Sequence, residues 1–152
     1  MYTTRDTVAH HFLNRARSAE MRIAWKQSQL DGLRDIATNV TPTLSDMPRS
    51  SSPNPQRMET LMCKIVDMED DIARDADALA DIRVEIALLI CKVPDATQQQ
   101  ILRERYLNYK AWRNIMDMTG YSKTSIFRHH DAAIAYLNTI IAADNDLVKV
   151  GT

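Results

Sequence analysis

The sequence predicts an all-α protein, a long helical coiled-coil arm or hairpin followed by a C-terminal three-helix unit, and three observations predict it. Only three glycines occur in 152 residues, with 45% hydrophobic and 26% charged residues, a balance that supports a packed core rather than disorder. Ala, Leu, Ile, Met, Arg and Asp outweigh the Val, Thr and aromatic mixture that strands favour. Apolar residues recur at three- and four-residue steps over two long stretches, the period of a helix with one buried face. The length suits one ordinary domain or a small domain on a long arm.

In the first stretch Ala9, Phe12, Ala16, Ala19, Ile23, Leu30, Leu33 and Ala37 form the stripe, interrupted at Lys26. It predicts a helix over about 5–38. Residues 39–54 hold three of the five prolines, with a fourth at Pro55, and the run Ser50, Ser51, Ser52, which marks a linker. Ser52 before Pro53 and Asn54 before Pro55 each offer a capping side chain ahead of a proline suited to a first helical turn.

The second stretch, 55–93, has the cleanest period. Met58, Ile65, Ile72, Leu79, Ile86 and Val93 fall on every seventh residue, with Leu61, Met68, Ile82 and Leu89 interleaved. Five such heptads read as a coiled-coil seam, in which Ile65, Ile72, Leu79, Ile82, Ile86 and Leu89 face a partner. Asp75 is the one charged residue at an interleaved seam position; either it fixes register or partner, or the helix opens to water there. The first helix, reached through the linker in an antiparallel hairpin, and a second copy of the chain are both candidate partners.

Pro94 ends the arm at residue 94. Asp95, with Gln98 three residues on, then reads as an N-cap in a capping box and opens a unit over 95–143. The spacing predicts helices to about Leu107, from about Tyr109 to Met118, and from Ser122 to about Ala143, with residues 144–152 as a flexible tail. Ile101, Leu102, Tyr106, Leu107, Trp112, Ile115, Met116, Tyr121, Ile126, Ile134 and Leu137 are expected to share one small core. Gly120 stands where a helix C-terminus needs a left-handed residue, and the whole has the spacing of a helix-turn-helix.

Charge and chemistry narrow the function classes. The net charge is −1, but residues 54–94 hold five basic against nine acidic residues, whereas 95–143 hold six against four. This polarity turns the last unit toward a phosphate backbone. At its exposed third-helix start, Ser122, Lys123, Thr124, Ser125, Arg128 and His129 can reach phosphates and base edges, flanked by Lys110 and Arg113. The plainer alternative is a solvated helix start on a domain that binds protein.

Asp67, Glu69, Asp70 and Asp71 are the most metal-like group, yet Arg74 lies within ion-pairing reach of them on the helix. The pairs His10, His11 and His129, His130 diverge around a helix and chelate poorly. No phosphate loop or nucleophile set occurs, so no enzyme, metal or cofactor is expected. Cys63 and Cys91 lie 28 residues apart on one helix, roughly 42 Å at helical rise, too far to bridge. Without an apolar run long enough for a membrane or a secretory leader, the expectation is a cytoplasmic protein.

The stretch Ile101–Leu137 resembles region 4 of sigma-70-type transcription factors. There an LxxRY-like element, here LRERY, precedes the helix-turn-helix, and an S-x-x-S-[IV]-x-R-like start, here Ser122 to Arg128, opens the recognition helix. The wider layout, with "KIVDMEDDI", "RYLNYKAWRNIM" and "GYSKTSIFRHHDAAIAYL", resembles small sigma-like regulators of phages and prophages of Gram-positive bacteria. The resemblance implies a transcription regulator, commonly of phage late genes, in a bacterial host cell. It implies double-stranded promoter DNA as partner, with host RNA polymerase, a second copy of the chain or another phage regulatory protein as further candidates. Nothing resembles a promoter-melting region, so such a protein would assist polymerase rather than replace a complete sigma.

Overall fold

The computed structural model describes residues 7–39 and 55–150, with side chains to residue 145. Five helices follow one another: α1 Val8–Asn39, α2 Pro55–Cys91, α3 Ala96–Tyr106, α4 Trp112–Thr119 and α5 Lys123–Val150. No strand occurs among the described residues, so the all-α class holds. The expected linker and its caps at Ser52 and Asn54 lie outside the described residues. No helix among the described residues is long and apolar enough to cross a membrane.

The chain divides into two compact units, one of residues 1–18 with 79–152 and one of residues 19–78. This differs from the break expected at residue 94, for a reason visible in the first unit. Leu102 and Tyr106 of α3 and Ala133, Ile134 and Leu137 of α5 are buried in one cluster with Ala9, Leu13 and Ala16 of α1 and Ile86, Leu89 and Ile90 of α2. The C-terminal helices therefore complete their core with both long helices instead of closing on themselves.

Local chemistry explains where these elements begin and end. Thr7 Oγ1 accepts the His10 N–H at 3.4 Å, and Asn138 Oδ1 of α5 accepts the Ala9 N–H at 2.9 Å. Both satisfy amides that a first helical turn leaves open and fit a start of α1 at Val8; the start expected near Arg5 lies outside the described residues. Asp95 caps α3 as its pattern predicts, accepting the Gln98 N–H at 2.9 Å. At the end of α2, Gln99 Nε2 donates to the Val93 carbonyl at 2.5 Å.

Helix α5 runs on to Val150, past the end expected at Ala143. Neither glycine nor proline occurs between Gly120 and Val150 to stop it, and Asp144 pairs with Lys92 at 3.6 Å.

In the second unit the stripes of α1 and α2 meet through side chains in antiparallel order. Lys26 pairs with Asp75 at 2.6 Å and Asp71 at 2.7 Å, and Arg34 with Glu69 at 2.7 Å. Every seam position there is buried or half-buried, from Ala19 to Ala37 on α1 and from Met58 to Asp75 on α2. Hydrogen bonds from Lys26, before its Coulombic attraction, hold the Asp71 carboxyl below its ordinary range; those same bonds, to Asp71 first and Asp75 next, raise the Lys26 ammonium. Asp71 also lies 3.8 Å from Arg74, so two of the four carboxylates of the metal-like group, Asp71 and Glu69, stand in ion pairs.

Candidate nucleic-acid interface

Three isoleucines set the geometry of the C-terminal helices. Ile101 of α3, Ile115 of α4 and Ile126 of α5 are each 0% exposed and form a cluster of their own, with Trp112 and Met116 packed against it. The single core expected for this unit is thus two cores: the isoleucine cluster, and the larger one that takes Leu102, Tyr106, Ile134 and Leu137. Tyr121 joins neither. It is 39% exposed and tilts over His129 at 5.4 Å, because the turn directs it outward.

That turn is built as its sequence predicts. Gly120 adopts φ 73°, ψ 4°, and its N–H donates to the Met116 carbonyl at 2.8 Å. A side chain there would force the left-handed region that L-residues avoid. Ser122 then caps α5, its Oγ accepting the Ser125 N–H at 3.2 Å.

The connection before α4 is less regular. Tyr109 takes φ 55°, which delays α4 from the expected Tyr109 to Trp112. Arg83 of α2 donates to the Leu107 carbonyl and the Tyr109 hydroxyl, both at 3.0 Å, and its guanidinium lies 5.7 Å from the Tyr109 ring.

The candidate residues fall into two groups. Ser122, Lys123, Thr124, Arg128 and Arg113 are exposed, while Ser125 and His129 are half-buried beside them on α5. Lys110 differs. Its ammonium pairs with Glu104 at 2.7 Å, and this bond, followed by one from Asn108, lowers the Glu104 carboxyl below its ordinary range. A phosphate at Lys110 would have to displace that carboxylate.

Beneath the exposed face lies an aromatic clasp that joins α3 to α5. The Tyr106 hydroxyl and His130 Nε2 are 2.6 Å apart, and His130 Nδ1 lies 3.3 Å from Asp131 Oδ1. A carboxylate only accepts, so Nδ1 carries the proton and Nε2 accepts from the tyrosine. Tyr106 stacks on the His130 ring at 5.8 Å, Trp112 meets it edge-on at 4.9 Å, and Arg105 covers Trp112 at 4.7 Å. Desolvation holds the imidazole below its ordinary 6.5, against the opposing pull of Asp131, so this contact is a hydrogen bond to a neutral ring.

The clasp makes stability depend on pH at both ends. The folded chain takes up the His130 proton later than the unfolded chain, so this contribution is complete above pH 6.5 and is lost as pH falls through the folded value. Burial pushes the Tyr106 phenol up to about 12 from 10.0. Its contribution is complete below pH 10 and fades by pH 12, by roughly 3 kcal/mol in total. The melting temperature should therefore drop on acidification below pH 6.5, less so in His130→Gln. A phenolate titration should show one of the five tyrosines ionising last.

Sequence reasoning missed the clasp and the Arg83 contact. A signal for the first existed, since Ile126, His130, Ala133 and Leu137 recur at helical spacing and place His130 on the buried face. Arg83 left no such trace, because its partners lie 24 and 26 residues away on an irregular connection.

Residues 51–138 match the family described as "Protein of unknown function (DUF1492)". The chain belongs to the DUF1492 family. The match takes in more than half of the 152 residues and, among the described residues, spans α2, α3, α4 and α5 as far as Asn138. Both members of the clasp, the three isoleucines and the glycine turn thus lie inside the DUF1492 segment. No curated protein and no solved structure matches the chain.

Proposed function

We propose that this DUF1492 protein is a DNA-binding transcription regulator in which α4, the Gly120 turn and α5 act as a helix-turn-helix of sigma region-4 type. The observation that carries the reading is the bared first turn of α5: Ser122, Lys123 and Thr124, with Arg128 one turn on, are exposed behind a left-handed glycine. That is the position from which a recognition helix presents its N-terminal side chains to the major groove. Arg113 stands on the preceding helix, where such units cross the phosphate backbone. The sigma-like pattern from Leu102 to Arg128 supports a role beside RNA polymerase in phage or prophage gene control, with the helical arm as the part available to protein.

Fluorescence anisotropy with duplexes from the DNA flanking the gene tests the proposal, run with and without host polymerase. Arg128→Ala should weaken binding by about 1–3 kcal/mol if it reads a base edge, roughly five- to 150-fold. Lys123→Ala should weaken binding across sequences and reduce the salt dependence by about one phosphate contact. Wild-type binding that neither substitution changes, or no binding at low salt with or without polymerase, would sink the assignment.

A further inference from the structure

In the second unit each apolar stripe carries one charged residue at a seam position, Lys26 on α1 and Asp75 on α2, and these two meet. The Lys26 ammonium lies 2.6 Å from Asp75 and 2.7 Å from Asp71. The Lys26 and Asp75 side chains are 18% and 26% exposed, so most of the pair is withdrawn from water. A charge so placed is strongly disfavoured unless a partner neutralises it.

We propose that Lys26, Asp71 and Asp75 select the partner of the seam: they hold α2 to α1 in this register and exclude the parallel pairing of like helices from two copies. A parallel pairing of α2 with the α2 of another copy sets Asp75 against Asp75, and a parallel pairing of two α1 helices sets Lys26 against Lys26. Both confront like charges where water screens them poorly. A slip of one heptad within the chain brings Asp75 beside Ala19 or Leu33, seven residues either side of Lys26, and leaves both charges unmatched. Arg34 and Glu69 fit the same register at 2.7 Å, but at 49% and 44% exposure they discriminate less. A polar pair inside an apolar seam thus sacrifices some burial for uniqueness of pairing, the best-attested use of such residues.

The double substitution Lys26→Leu with Asp75→Leu tests this on the full chain, with helix content followed by circular dichroism and mass by sedimentation equilibrium over a hundredfold concentration range. The double variant should keep its helices, melt no lower than wild type, and associate beyond the wild-type state with a mass that rises with concentration. Lys26→Gln with Asp75→Asn, which keeps side-chain size and hydrogen bonding but removes the charges, should shift association the same way and covers the case of a misfolded leucine variant. An association state identical to that of wild type throughout, in whichever variant folds, overturns the proposal.

Discussion

Ile126→Ala is expected to destabilise the first unit by about 2–5 kcal/mol, the range for an isoleucine removed from a closed core. The upper part of that range applies because only Ile101 and Ile115 complete the cluster, each 0% exposed and each from a different helix. Trp112 and Met116 pack at its edge, and Trp112 is held by Arg105 at 4.7 Å and Phe127 at 5.0 Å, which limits collapse into the void. Urea unfolding gives the loss directly. Tyr121→Ala supplies the contrast, since a half-exposed ring on a turn should stay within about 0.5 kcal/mol. Equal losses for the two would mean that the isoleucines do not form the joint between α4 and α5.

The second large effect concerns the C-terminal helices on their own. A chain cut to residues 95–143 should lack a cooperative melt, although its sequence reads as a self-contained helix-turn-helix. Removing α1 and α2 strips Leu102, Tyr106, Ile134 and Leu137 of Ala9, Leu13, Ala16, Ile86 and Ile90. Each such side chain returned to water loses roughly 1.5–3 kcal/mol, and four of them approach the whole stability of a domain, about 5–15 kcal/mol. The isoleucine cluster that remains is too small to replace them. Sharp thermal unfolding of the isolated segment, at a temperature near that of the full chain, would show that the larger core is dispensable.

These two expectations also mark how far the sequence could be read. Helical class, both long helices, the Asp95 cap, the glycine turn and the Ser122 cap are local, set by residues within four positions of one another, and the structure has them all. The partition of the C-terminal core is not local. Leu102 and Ile101 are apolar neighbours, and only the turn of about 100° between successive residues of α3 sends one to the α1 and α2 side and the other to α4. The Tyr109 backbone was equally hidden, because its φ of 55° belongs to a residue type without left-handed preference. At the candidate interface, exposure of Lys123, Thr124 and Arg128 follows from periodicity. The pairing of Lys110 with Glu104 was not legible, because Glu104 lies six residues before it, across a helix end where helical spacing no longer applies.

The hydrogen bond from Ala9 to Asn138 spans 129 positions, and it sets an order of events during synthesis. Residues 9–16 leave the ribosome before α5 and find their apolar neighbours there only after residue 137 has emerged. The α1 and α2 segments of the second unit need nothing beyond residue 78 and can zip together earlier. The cluster around Ala9, Leu13 and Ala16 thus stays open on its α5 side until residue 137 has emerged, even where Ile86, Leu89 and Ile90 of α2 already cover the other.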